Sequence, residues 1–203
     1  MERFFHSELE HLKSKLILQG EKCYLSANSS VNGFKDSNTD ECENALQLEP
    51  SIIELEKEII HAAIRYITLQ NPVSSDVRLL FALIKISNIL LRVSSESCNI
   101  ARKTKVILST YGKTHYAPYI TTISDHSLNL LQDSISSFIN EDLKLAQTIE
   151  AKEQEPVNTV MIDFFKENKE SQRELLLISN SMEQVSNYSK EIAQNIIYLL
   201  TGQ

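Results

Sequence analysis

The chain has 203 residues, a net charge of −7 and a sequence pI near 5.3. Its four glycines and four prolines, with no Val/Thr-rich alternation between turn signals, favour an all-α fold of long helices over a strand-based fold. The lysines and arginines are scattered along the sequence, which argues against a basic stripe that binds nucleic acid.

Cysteine usage and hydropathy indicate the compartment. Cys23, Cys42 and Cys98 are widely separated and odd in number, which fits neither a disulfide framework nor a zinc site. The N-terminus is charged within two residues, which is unlike an export signal. The longest apolar region, Val77 to Val93, is too short and too polar to span a bilayer. The sequence therefore predicts a cytoplasmic protein that does not span a membrane.

Apolar residues at helical spacing predict the first two helices. The first runs from Phe5 to about residue 35, although its second half is rich in polar residues. The second follows Pro50 and carries its inward stripe from Ile52 to Ile67.

A proline turn precedes the third predicted helix. Asn71 is a suitable N-cap, Pro72 suits the first turn because it has no N–H to leave unbonded, and Asp76 lies near the positive helix end. The helix then carries apolar residues from Leu79 to about Leu108, where a Thr-Tyr-Gly break follows.

The second half of the chain repeats this pattern. It predicts helices over Ile120–Phe138, Val157–Phe165 and Leu175–Leu200. Residues 90–101 and 182–193 share Val, Ser, Ser, Ile and Ala at equal places, which indicates an internal duplication.

A duplicated helical hairpin can bury its apolar faces by stacking on its neighbour. We therefore expect six helices in two tandem antiparallel three-helix bundles, one formed by residues 1–110 and the other by residues 111–203.

Several segments resemble the PhoU family when they are taken in order. The turn Pro72-Val-Ser-Ser-Asp76-Val-Arg78 resembles the family's PV-x-x-D-[LV]-R motif, and residues 52–56 and 197–202 resemble its second helix and its ending. The resemblance implies a cytoplasmic regulator of phosphate import that is often a homodimer. It also implies contact with the ATP-binding subunit of the phosphate transporter and with a sensor histidine kinase.

Members of this family often hold metal clusters through a D-x-E-R-[IV]-x-D segment on the third helix of each repeat. In the first repeat of this chain the acidic places fall on Ile89, Leu91 and Ser95, and the facing acid falls on Ile53. None of these side chains is a carboxylate, so we expect no metal in the first repeat.

The second repeat keeps part of the metal-binding pattern. Its corresponding places are Ser181, Glu183 and Asn187, with Asn158 on the facing helix. One carboxylate with two amide oxygens predicts weak binding of a divalent cation, because charge count is a main determinant of affinity at oxygen sites. The alternative is that Glu183 is an ordinary solvated residue.

Four residues are candidates for contacts with partner proteins. If Leu91 and Ile53 project where relatives hold metal, they form an apolar patch for a dimer or partner, and the alternative is that neither is exposed. Asp76 and Arg78 either bind a partner or form an ion pair or cap at the helix start.

Two Glu-x-x-His sequences, Glu8 to His11 and Glu58 to His61, match the pairing used by carboxylate-bridged metal proteins. Glu58 and His61 fall on the polar side of their predicted helix, opposite the apolar stripe. This placement favours ordinary surface positions for the motif. A ferritin-like metal protein is the alternative, and it would require both motifs to face inward.

The chain has no motif that places a nucleophile beside a base and no glycine-rich phosphate loop. Asp125 and His126 are adjacent and therefore point apart on a helix, both towards solvent. We interpret the sequence as a non-enzymatic regulator of phosphate uptake and phosphate-starvation signalling that acts by protein contact. A helical scaffold that has lost phosphate regulation is a further alternative.

Overall fold

A computed structural model describes residues 2–69, 72–114, 118–152 and 172–202. These residues form six α-helices and no strand. The helices are α1 (Glu2–Lys35), α2 (Thr39–Leu69), α3 (Ser74–Tyr111), α4 (Pro118–Ile139), α5 (Leu143–Ala151) and α6 (Gln172–Thr201). The predicted all-α class is confirmed.

The helices pack in two groups of three. Helices α1, α2 and α3 contact one another, as do α4, α5 and α6, and the groups meet where α3 packs on α6 and α1 on α4. One cluster of buried apolar side chains extends through both groups. Within the described ranges, no helix is long and apolar enough to cross a membrane. The tandem double bundle is as predicted, and the division between residues 110 and 111 stays a prediction.

Helix α2 begins earlier than the sequence analysis predicted. It starts at Thr39, and the side chain of Asn38 accepts hydrogen bonds from the backbone N–H groups of Asp40 (2.9 Å) and Glu41 (3.4 Å). Asn38 followed three residues later by a Glu is a helix-start signal that the apolar pattern did not show. Pro50 therefore lies inside α2, not before it. Pro50 is exposed, so the carbonyl that lacks a helical partner there can bond to water.

The start of α3 also differs from the prediction. The helix begins at Ser74, its N-cap residue is Val73, and no side chain caps it. Pro72 therefore precedes the helix and does not lie in its first turn, while Asn71 lies outside the described residues. Asp76 does lie in the first turn, as predicted. The helix ends at Gly112, whose φ of 77° suits a residue without a Cβ.

The second half contains a helix that the sequence analysis missed. Helix α5 (Leu143–Ala151) starts where the carboxylate of Asp142 accepts a hydrogen bond from the backbone N–H of Leu145 at 3.0 Å. The predicted helix over Val157–Phe165 lies outside the described residues. Helices α4 and α6 enclose the predicted spans Ile120–Phe138 and Leu175–Leu200.

The duplicated segments occupy equivalent environments in α3 and α6. The five matched positions are buried in both helices: Val93, Ser94, Ser97, Ile100 and Ala101 in α3, and Val185, Ser186, Ser189, Ile192 and Ala193 in α6. Ser97 donates to the Val93 carbonyl at 2.9 Å, and Ser189 donates to the Val185 carbonyl at 2.8 Å. The repeated residues are therefore those that pack the two third helices against the core.

Polar contacts add to apolar packing within and between the bundles. Buried Gln19 of α1 donates to the Ser87 carbonyl at 3.1 Å and accepts from the Ser87 hydroxyl at 2.7 Å. Between bundles, Lys35 pairs with Asp125 at 2.5 Å. The hydroxyl of Thr114, just after α3, donates to the Phe34 carbonyl at 2.7 Å. These contacts join α1 to α3, to the segment that follows α3, and to α4 of the second bundle.

Candidate functional site

Polar contacts join α3 to α2 along one edge of α3, which we call the closed edge. The Arg102 guanidinium pairs with Glu49 at 2.7 Å, and Lys105 pairs with Glu43. Nearer the other end of α2, the Asn88 amide donates to a Glu56 carboxylate oxygen at 3.4 Å. Cations of α3 therefore meet acids of α2, whose 31 residues include seven Asp or Glu and two Lys or Arg.

Of the residues that fall on the first metal site of the family, Leu91 lies three residues after Asn88 on α3, and Ile53 lies between Glu49 and Glu56 on α2, so helical spacing places both beside this α2–α3 edge. Ile89 is buried with 7% of its surface exposed, and Leu91 is partly buried against the core. Ile53 is also partly buried. The Ser95 hydroxyl donates a hydrogen bond within its own helix, to the Leu91 carbonyl at 3.1 Å. These four side chains supply no carboxylate, so they do not fit a metal cluster. Contact of Ile53 and Leu91 with a partner stays a prediction.

The corresponding places in the second repeat are only partly described. Glu183 and Asn187 are partly buried on α6, while Asn158 lies outside the described residues. Ser181 does not join them, because its hydroxyl donates to Glu96 of α3 at 2.7 Å. No group of three or more His, Cys, Asp and Glu side chains in the described part of the chain could hold a metal ion. Glu183 with one amide fits at most weak cation binding, which stays a prediction.

The edge of α3 that faces α6 is organised differently. The Lys85 ammonium lies 5.8 Å from the ring centroid of Tyr198, and the Arg92 guanidinium lies 5.9 Å from that of Tyr188. Both distances are within the range of a cation–π interaction. Aromatic rings of α6 therefore hold these cations in place of carboxylates.

Arg78 of the PhoU-like turn lies at the end of the same edge. Its guanidinium lies so close to Gly202, the residue that ends α6 with φ of 78°, that a side chain at Gly202 would collide with it. A cation is favourable at this point because the C-terminal end of a helix carries partial negative charge. No ion pair joins Arg78 to Asp76, both of which the structure describes, so the pair at the helix start is not formed.

Arg78, Lys85 and Arg92 follow one another at seven-residue spacing and form what we call the basic strip. Seven residues are nearly two helical turns, so the three side chains lie along one edge of α3. The sequence analysis described the cations as scattered and missed this strip. Its signal was the regular spacing of three cations with no acid between Arg78 and Arg92.

The two Glu-x-x-His motifs point outward, as predicted for the second of them. Glu58 and His61 are exposed on α2, and Glu58 pairs with Lys15 at 2.7 Å. Glu8 lies 3.8 Å from the guanidinium of Arg65, and His11 is exposed. These side chains therefore do not converge on one inward site.

The three cysteine thiols are buried. Burial raises the pKa of Cys42 to about 11 and that of Cys98 to about 12, and it raises the pKa of Cys23 as well. The three thiols therefore stay protonated at neutral pH and are poor nucleophiles.

Asp125 is exposed as predicted, but His126 is partly buried and not solvent-facing, because its side of α4 turns towards the protein.

The described residues form an all-helical double bundle. None of their helices could cross a membrane. Residues 17–104 match the model of the PhoU domain. The matched region includes the turn motif at Asp76 and Arg78 and supports the resemblance to the PhoU family that this motif indicated.

The similarity extends over nearly the whole chain. A "phosphate-specific transport system accessory protein PhoU homolog 1" from Thermotoga maritima is 25% identical over 98% of this chain and 90% of its own length. The crystal structure of PhoU from Pseudomonas aeruginosa superposes with a TM-score of 0.88 at 22% identity, covering 98% of this chain and 100% of that one. The PhoU structure from Streptococcus pneumoniae gives a TM-score of 0.87 at 18% identity and 98% coverage of both chains.

Proposed function

We propose that this chain is a cytoplasmic negative regulator of phosphate uptake that acts by contact with other proteins. The observation that carries the proposal is the similarity to phosphate-specific transport accessory proteins over 98% of the chain, which includes both bundles and the turn at Asp76 and Arg78. Its partners would be the ATP-binding subunit of a phosphate transporter and a sensor histidine kinase.

The mechanism would be occupancy of a partner's surface. A rigid helical body that binds one state of a transporter or kinase more tightly than another shifts the population of those states, and no chemical reaction is needed. The protonated thiols and the exposed positions of His11 and His61 support an action by binding.

Deletion of the gene tests this function. With ample phosphate, the deletion strain should express its phosphate-starvation genes, and the intact gene should restore repression. Unchanged repression in the deletion strain would favour the alternative of a helical scaffold that has lost phosphate regulation.

We also propose that the protein is a homodimer that holds no tightly bound metal. The first repeat offers no carboxylate where relatives have acids, and Glu183 is the sole carboxylate at the second. Elemental analysis of the native protein, together with its solution mass, tests both points. Stoichiometric iron or manganese would support the ferritin-like alternative, and a monomer mass would contradict the homodimer.

A further inference from the structure

The cations of the basic strip have no carboxylate partner among the described residues. Eight other Lys and Arg side chains in the described ranges do form ion pairs with Asp or Glu. Lys85 and Arg92 are exposed, and Arg78 is partly buried. Three cations about 10 Å apart along α3 therefore form a positive edge about 20 Å long with which no described carboxylate forms an ion pair.

Exposed aromatic side chains lie beside these cations. Phe81, between Arg78 and Lys85 in the sequence, has 49% of its surface exposed, and Tyr198 of α6 has 40% exposed. Arg, Tyr and Phe are enriched in protein–protein interfaces, and Tyr and Arg are frequent among the residues that dominate binding energy. The composition of this edge is therefore that of a protein-binding surface.

The rings also limit the motion of the cations. Lys85 over Tyr198 and Arg92 over Tyr188 are held by contacts that leave their hydrogen-bond donors available to a ligand. Cations that are already positioned lose less side-chain entropy when a partner binds.

The charge of the strip and its surroundings selects the class of partner. The chain carries a net charge of −7, and Glu96 follows Arg92 by one helical turn, so a long polyanion such as nucleic acid would be repelled beyond the strip. An acidic helix with carboxylates at matching spacing and apolar side chains between them fits both the three cations and the exposed Phe81.

We propose that the basic strip, with Phe81 and Tyr198, is a docking surface for an acidic amphipathic segment of a partner protein. The proposal deepens the proposed function, because it assigns the regulator a contact surface and its partner a chemical character. It rests on that function only for the identity of the partner, not for the binding chemistry.

The test uses the full chain and a charge-reversed variant, Lys85→Glu/Arg92→Glu. The matched control is Lys113→Glu/Lys144→Glu, which makes the same change in net charge at two exposed lysines that form no ion pair with described residues. Three probes are used: an amphipathic helical peptide of about 20 residues with Glu at every seventh position, its Glu→Gln counterpart, and a DNA duplex of about the same length.

We expect the charge-reversed variant to bind the Glu peptide at least about tenfold more weakly than wild type, and the control variant to bind it within about twofold of wild type. The Gln peptide should bind weakly to all three proteins. Equal affinity of the two double variants for the Glu peptide, or tighter binding of the duplex than of the peptide, would overturn the proposal. If the reversed variant does not fold, Lys85→Gln/Arg92→Gln replaces it and should still weaken binding.

A parallel titration with the transporter's ATP-binding subunit separates this proposal from the proposed function. Binding of the subunit to wild type that survives charge reversal would leave the function intact and overturn the surface. Peptide discrimination without any binding of the subunit would support the surface and count against the proposed partner.

Discussion

The two edges of α3 use the same residue types in opposite ways. Towards α2, Arg102 and Lys105 form ion pairs with glutamates, so their charges are neutralised within the α2–α3 interface. Towards α6, Lys85 and Arg92 lie over tyrosine rings, and no carboxylate in the described residues compensates their charge. One helix therefore presents a structural edge and an edge with the properties of a recognition surface.

This difference shows that the role of a charged side chain depends on the residues it contacts and not on the overall composition of the chain. The chain is acidic overall, yet α3 carries six Lys or Arg and two Asp or Glu. Arg102 and Lys105 pair with glutamates of α2, whereas Lys85 and Arg92 lie over tyrosine rings of α6. Ion pairs at a surface contribute little to stability, whereas unpaired charges attract partners.

The largest expected effect lies in the core that both edges share. Leu90 is 2% exposed and lines a small apolar space between the bundles, together with side chains of α1, α4 and α6. Leu90→Ala should lower the free energy of unfolding by about 2–5 kcal/mol. Urea denaturation followed by circular dichroism measures it, and Leu69→Ala, at a site 70% exposed, is the matched control. Similar losses for the two variants would mean that the bundles do not share this core.

A smaller effect is expected at the buried hydrogen bonds between α1 and α3. Ser87→Ala leaves the Gln19 amide oxygen without its donor in an apolar environment, which should cost about 1–3 kcal/mol. The control is Ser95→Ala, because Ser95 is exposed and bonds only within its own helix. Thermal unfolding of both variants distinguishes them, and an unchanged midpoint for Ser87→Ala would contradict the assigned bond.

The closed edge should contribute still less. Glu49→Gln removes the charge that pairs with Arg102, whose side chain is half exposed, and should cost about 0.2–1 kcal/mol at low salt. The loss should diminish in high salt because the pair is screened. Arg92→Gln has no carboxylate to lose, so its effect on stability should not depend on salt in this way. Identical salt dependence in the two variants would remove the contrast between the edges.

Chelation should have the smallest effect. Ile53, Ile89 and Leu91 stand where a metal site would need carboxylates, so we expect no bound metal in the first repeat. Adding EDTA should therefore change the thermal midpoint by less than about 1 °C. Differential scanning calorimetry measures this change. A large decrease would show that a bound metal contributes to the stability of the native chain.

The fold could be predicted because its signals are local and periodic. Apolar spacing placed the ends of α1 and α6 closely, and the repeated Val, Ser, Ile and Ala positions identified the helices that pack together. The starts of α2 and α3 were misplaced because the analysis gave prolines more weight than the cap at Asn38 and treated Pro72 as helical. The partners of α3 could not be read from the sequence, since contacts such as Lys85 with Tyr198 join residues more than 100 positions apart.

The most direct test is hydroxyl-radical footprinting of the chain with and without the transporter's ATP-binding subunit. The account predicts that Phe81, Tyr188 and Tyr198 become protected in the complex, while Ile53 and Leu91 on the closed edge keep their reactivity. Protection at Ile53 and Leu91 with unchanged rings would assign recognition to the α2–α3 edge and contradict the account.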